Sequence, residues 1–149
     1  MTEPETKMLL HVGLTVTDMT ASVTFYRDVV GMTVKSEFVG HNDWFDELTD
    51  NPGAELSVTH LRLGDYELQL IEYLAGGHGE SAEIAHNRVA SPHMCFLVTD
   101  VDAKFTELTE RGDVSITSDV TDIAAGARSF YVADPDGVPV EFVQIPRRG

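Results

Sequence analysis

Cysteine and basic side chains are scarce in this chain of 149 residues. It has one cysteine, Cys95, and ten lysines and arginines against 25 aspartates and glutamates, a formal charge of −15. A single cysteine cannot close an internal disulfide, which makes a reducing cytoplasm the expected compartment. The opening MTEPETKMLL has no basic leader followed by a long apolar stretch, so no secretory signal is expected. Apolar runs extend over only a few residues, well short of the ~20 that cross a bilayer as a helix, and a membrane span is excluded. Excess negative charge without a basic cluster repels nucleic acid and anionic lipid alike, leaving a small molecule as the expected partner. The sequence also lacks GxGxxG after a strand, a Walker loop, GxSxG and CxxC. Nucleotide cradles, a nucleophile elbow and thiolate metal sites therefore have no support.

What is present is ordinary for a folded domain: 42% of residues are hydrophobic and 23% charged, enough to bury a core. Residues 8–17 alternate as a strand, and Met19, Val23, Tyr26 and Val30 then recur at three or four residues, predicting a helix over 19–30. Asp18 suits its N-cap and Gly31 its left-handed stop. A strand is predicted over 32–41. Residues 42–53, with mixed aromatics and an Asn-Pro-Gly break, read as a loop that could hold a helical turn. Two further strands flank the tight Gly64-Asp65 turn as a hairpin, and 76–91 is a polar connector that could hold a short helix.

The chain also repeats itself. HVGLTVTDMTASVTFY (11–26) and HMCFLVTDVDAKFTEL (93–108) align without a gap, with His, Val, Thr-Asp, Ala and Thr in register. The second helix is predicted to start after Asp100 and end at Gly112. Strands follow around 114–121, at 128–133 and, after Asp134-Pro135-Asp136-Gly137, at VPVEFVQI. Gln69-Leu70-Ile71-Glu72 in turn matches Glu141-Phe142-Val143-Gln144. Each half thus reads β-α-β-β-β. The fold class is α+β, with two tandem βαβββ modules forming a curved mixed sheet around a cleft: module one about 7–75, connector 76–90 and module two about 91–146, within one domain over 1–149.

Alternation along a strand divides its faces. Val12, Leu14 and Val16 turn toward the first helix, leaving His11, Gly13 and Thr15 opposite; Met94, Phe96 and Val98 leave His93, Cys95 and Leu97 opposite. In the closing strands Leu68, Leu70, Val140 and Phe142 face the helices, while Glu67, Gln69 and Glu141 face away. If two such sheets meet about a pseudo-twofold axis, His11, Gln69, His93 and Glu141 converge. Two imidazoles and two oxygen donors suit a divalent first-row metal and leave two positions open on an octahedral ion.

HVGLTVTD, SPHMCFLVTDVD and FYVADPDGVPVEFVQ together resemble the vicinal oxygen chelate superfamily, which includes glyoxalase I, methylmalonyl-CoA epimerase, extradiol dioxygenases and bleomycin or fosfomycin resistance proteins. The similarity runs from His11 to Gln144. Carried over residue by residue, the family's metal ligands fall on His11, Gln69, His93 and Glu141. The Gln departs from the more usual Glu, which makes Glu67, on the same face, a rival. The resemblance implies a divalent ion (Co, Ni, Zn, Mn or Fe), a homodimer, and a metal-dependent isomerase, epimerase or lyase moving a proton next to a carbonyl through a metal-stabilised enediolate. Glu141, as a displaceable ligand, or Glu55, from the floor strand, would be the base.

Each residue has a plainer reading. Gln69 serves equally as an interface amide, Glu141 as the partner of Arg128 or Arg62, Glu55 as an exposed strand glutamate, and Trp44 with Phe45 as a satellite cluster rather than a pocket roof. His60 and Glu67 are further candidates, Cys95 reads as packing, and His41, His78 and His86 are assigned no function. Two other functions fit the pattern: an extradiol-type dioxygenase using His11 or His93 with Glu141, and a metal-free ligand-binding or resistance protein.

Overall fold

Asp18 opens the first helix by accepting the Ala21 amide at 2.9 Å, on the extended backbone that leaves strand β1 (Val12–Thr15). Helix α1 (Met19–Phe25) widens into one π-helical turn, Tyr26–Val30, and stops at Gly31, whose φ of +93° suits a residue without a Cβ. Strand β2 (Thr33–His41), helix α2 (Asp43–Thr49) and strands β3 (Glu55–Leu63) and β4 (Tyr66–Ala75) follow. The computed structural model describes residues 4–77 and 84–146 and divides into two compact units, 1–79 and 80–149.

In the first unit the sheet order is β1-β4-β3-β2, with β1 parallel to β4 and the other pairs antiparallel. Leu14, Leu61, Leu68 and Leu70 are buried on the helix side with Phe25, Tyr26 and Val29. Removing this apolar surface from water is the main stabilising term for the unit.

The second unit repeats the design. Strand β5 (Met94–Leu97) leads to helix α3 (Val101–Arg111), capped by Asp100 through the Ala103 amide at 2.9 Å and ended by Gly112 at φ +70°. Strands β6 (Ser115–Ile116), β7 (Thr121–Asp122), β8 (Arg128–Ala133) and β9 (Pro139–Gln144) complete a five-stranded sheet. Its order is β5-β9-β8-β6, with β7 also on β8. Phe130, Val132, Val140 and Phe142 are buried, and Phe105 of α3 meets Phe130 edge-on at 5.2 Å.

The α+β class with two repeated modules agrees with the reading of the sequence, and three local expectations are corrected. Residues 43–49 form helix α2 rather than a loop; it buries no side chain and ends at Asp50 in the left-handed region, φ 52°. With no buried stripe, α2 leaves no apolar period in the sequence to detect. The single strand expected around 114–121 is broken into β6 and β7, because the Ser118 hydroxyl takes the Tyr131 amide at 2.8 Å in place of a backbone carbonyl. Val12 lies on the helix-side face yet is 40% exposed, at the outer end of an edge strand. Over 84–91 the connector runs as turns, with Ser91 N bonded to Arg88 O; its central part and His78 lie outside the described residues.

Candidate functional site

Register decides what faces what. The tight turn after Leu63 pairs it with Tyr66, which places His60 opposite Gln69, and the parallel ladder sets Gly13 on the other side of Gln69. Gln69 Nε2 lies 3.2 Å from His60 Nε2. An amide nitrogen can only donate, so the imidazole nitrogen accepts and the ring proton sits on Nδ1. That nitrogen faces Glu67 Oε2 at 3.8 Å, and Glu67 Oε1 accepts from Lys35 Nζ at 2.5 Å. His11 meets His60 edge-on, ring centroids 5.7 Å apart. The first unit thus gathers His11, His60 and Gln69, with Glu67 and Lys35 extending the polar chain along the sheet.

The second unit builds the corresponding group around Glu141, opposite Tyr131 on β8 and Cys95 on β5. Ser129 Oγ donates to Glu141 Oε1 at 2.5 Å and Tyr131 OH to Oε2 at 2.9 Å. The Cys95 thiol makes a third hydrogen bond to the carboxylate. His93 and His86 both meet the Tyr131 ring edge-on, at 6.0 and 4.7 Å.

These contacts set the protonation states. Burial raises the Glu141 carboxyl, but hydrogen bonds from Ser129, Tyr131 and Cys95 with a nearby His93 outweigh it, and the net shift is downward. Burial first, then the Glu141 hydrogen bond, pushes Tyr131 up to about 12, and burial with the Glu141 charge pushes Cys95 up to about 11. Both are neutral donors at physiological pH. His60 is lowered by burial and by His11, so its ring is held neutral. The Lys35 hydrogen bond is the main cause of the lowered Glu67 carboxyl.

The remaining sequence candidates are placed as follows. Glu55 is exposed at the end of β3, opposite Ala75 beyond a register shift and five positions along the strand from His60. Glu141 does not pair with Arg128 or Arg62: Arg128 binds Asp102 and Asp122, while Arg62 bonds the Gly64 carbonyl and lies near Asp65. Nor does Glu141 need a cation to be satisfied, since three neutral donors already serve it. Glu67 is committed to Lys35. Trp44, Phe45 and Tyr73 form a chain of ring contacts at 5.9 and 6.3 Å. Cys95, read as packing, is instead an exposed residue bonded to Glu141. Tyr131, Ser129 and His86 were not singled out as partners; counting back from the β8–β9 turn would have found Tyr131 opposite Glu141.

No group of three or more His, Cys, Asp or Glu able to hold a metal gathers among the described residues, but the donors of each unit suit a divalent ion in type. With its nitrogen taken by His60, Gln69 leaves Oε1 as an uncommitted donor. Gly13 puts no side chain over it, and even a Cβ there would lie 3.6 Å from that oxygen. Each Glu141 oxygen holds one hydroxyl bond and keeps further acceptor capacity. Imidazole nitrogen with carboxylate and amide oxygen is a set that first-row divalent metals accept.

The sequence model described as Glyoxalase/Bleomycin resistance protein/Dioxygenase superfamily matches residues 8–142. The protein YwbC of Bacillus subtilis is 32% identical over 141 residues, covering 93% of this chain and 98% of the relative. A 2-epi-5-epi-valiolone epimerase from an Actinomyces species is 30% identical over 145 residues, covering 91% of this chain and 78% of the relative. In fold, the chain superposes on a glyoxalase family protein from Bacillus cereus with a TM-score of 0.83 at 15% identity, covering 97% of both chains. No helix among the described residues is long and apolar enough to cross a membrane.

Proposed function

The chain belongs to the glyoxalase/bleomycin resistance protein/dioxygenase superfamily, and from that membership we propose that it is a divalent-metal-dependent epimerase or isomerase acting at a carbon next to a carbonyl. The observation that carries the reading is the matched pair of donors: an imidazole and an oxygen donor on the non-helical face of each unit, His11 with Gln69 and His93 with Glu141. These four residues would hold the ion. When bound, the ion supplies Lewis-acid stabilisation to the negative charge that develops on substrate oxygen as the neighbouring C–H is broken.

The rest of the chemistry falls to the chain. Glu141 is ionised at neutral pH, as a proton acceptor must be, and Ser129 and Tyr131 hold its two oxygens in place. In an epimerisation the proton leaves one face of the carbon and one drawn from solvent returns to the opposite face, with no net redox change; Glu141 takes the first, with Glu55 as the alternative base. The substrate class is an uncharged hydroxy-ketone rather than a coenzyme A thioester, because Arg27, Arg62, Arg111 and Arg128 each lie against a carboxylate and the chain carries −15. Support comes from the relative named as a valiolone epimerase.

Two measurements test this. Metal analysis of protein purified without a histidine tag should find a stoichiometric divalent ion, lost in His11→Ala. Solvent deuterium should enter the position next to the carbonyl of a hydroxy-ketone panel faster than in buffer, and chelation should abolish that rate. Exchange no faster than buffer across hydroxy-ketones, glutathione adducts and acyl-CoA thioesters would remove the epimerase reading. Oxygen uptake with catechols after anaerobic iron loading would replace it with the dioxygenase.

A further inference from the structure

Residues 60 and 131 occupy the same place in the two units. Each stands directly across the ladder from its unit's oxygen donor, His60 opposite Gln69 and Tyr131 opposite Glu141. Each hydrogen-bonds that donor through its polar tip, at 3.2 Å and 2.9 Å. Each also lies edge-on against the histidine that precedes its unit's edge strand: His11 to His60 at 5.7 Å, His93 to Tyr131 at 6.0 Å. One side chain therefore touches both members of the donor pair in each unit.

The chemistry of each pair is also matched. Gln69 must donate through its amide nitrogen if its oxygen is to stay free, and it faces an imidazole nitrogen, which can accept. Glu141 accepts through both carboxylate oxygens, and it faces a phenol, a donor. In the first unit, the Lys35–Glu67 pair beyond His60 Nδ1 favours the tautomer whose proton points at Glu67.

We propose that His60 and Tyr131 are quasi-equivalent positioning residues, each fixing the orientation of its unit's oxygen donor and histidine for a bound divalent ion. The inference rests on the metal reading above for what the donors hold. His60 dictates which end of the Gln69 amide is presented; Tyr131, helped by Ser129, dictates the rotation of the Glu141 carboxylate. Outer partners of this kind change metal affinity about 10- to 100-fold when removed.

The first arm of the test uses metal-free protein and nitrogen NMR of the imidazoles. His60 should carry its proton on Nδ1 in the wild type, and Gln69→Glu, which turns its partner into an acceptor, should move that proton to Nε2. A wild-type proton on Nε2, or a tautomer indifferent to Gln69→Glu, overturns the role of His60. The second arm titrates cobalt(II) into wild type, His11→Ala, His60→Phe and Tyr131→Phe, following the visible absorption bands. Loss of binding in His11→Ala, with roughly tenfold weaker binding in each ring-preserving variant and unchanged melting of the metal-free proteins, supports the proposal. Loss in His11→Ala with wild-type affinity in both phenylalanine variants overturns the positioning role and leaves the metal reading intact. Wild-type affinity in all three variants overturns the metal reading itself, and the positioning role for the ion falls with it. If His60→Phe does not fold, Tyr131→Phe and the wild-type tautomer decide.

Discussion

Glu72 reaches from β4 to accept the Met19 amide at 2.8 Å, closing the N-terminus of α1 from outside the helix. Gln144 does the same from β9 for the Val101 amide of α3, at 2.9 Å. In each unit the residue that ties down the helix stands three positions after the candidate ligand on the same strand. Helix position and ligand strand are thereby coupled by one hydrogen bond as well as by packing.

That coupling gives the first prediction. Glu72→Ala leaves a partly buried helix amide without its acceptor and should cost about 1 kcal/mol, the usual worth of an N-terminal cap. Glu72→Gln, which supplies the same amide oxygen as Gln144, should recover most of it. The midpoint of urea unfolding measures both.

The second concerns pH. His41 Nδ1 lies 3.0 Å from the Ala54 carbonyl and Nε2 lies 2.9 Å from Asp43, two oxygens that can only accept. The doubly protonated ring satisfies both, and its pKa is raised, the Ala54 carbonyl being the largest cause and Asp43 the next. A raised folded value means that the stabilisation is complete below the unfolded value near 6.5 and is lost as pH rises through the folded value. Amide exchange at Gly53, which Asp46 clasps at 2.6 Å, should therefore speed up over that window beyond the intrinsic base-catalysed rise, with Asp46 lying 3.7 Å from the same ring. His41→Asn should abolish the excess.

The third tests the core. Leu70 is fully buried between β1 and β3 on the helix side of the first sheet. Leu70→Ala should destabilise by about 2–5 kcal/mol, read from thermal or urea unfolding. A loss below that range would mean that α1 can settle into the space.

The fourth tests the end of the first helix. Gly31 sits at φ +93° with open space around its missing side chain, so Gly31→Ala meets no atom and is penalised by backbone conformation alone. A cost of about 1 kcal/mol is expected, without change in the far-UV spectrum.

Much of this architecture was legible in the sequence because it depends on short-range patterns. Asp18 and Asp100 cap their helices because their side chains reach amides three residues on, which spacing alone reveals. The alternation of Leu68, Gln69 and Leu70 assigns faces because the pleat has a period of two. Hairpin arithmetic extends this to His60 opposite Gln69, although composition gave no reason to prefer it over Glu67. Helix α2 was not legible, since it buries nothing and leaves no apolar period. Nor was the break between β6 and β7, which turns on one serine hydroxyl capturing the Tyr131 amide.

The sequence by itself determined the repeated modules, the helix caps and the face on which His11, Gln69, His93 and Glu141 stand, because local spacing and strand period control all three. Only the tertiary structure decided what those residues touch. Glu141 is held by a serine, a tyrosine and a cysteine. Arg128, the partner expected from sequence, is drawn to Asp102 and Asp122 instead. The physical reason is that hydrogen bonds and ion pairs across a ladder depend on register and side-chain reach between residues far apart in the chain, and these are fixed only when the strands have paired.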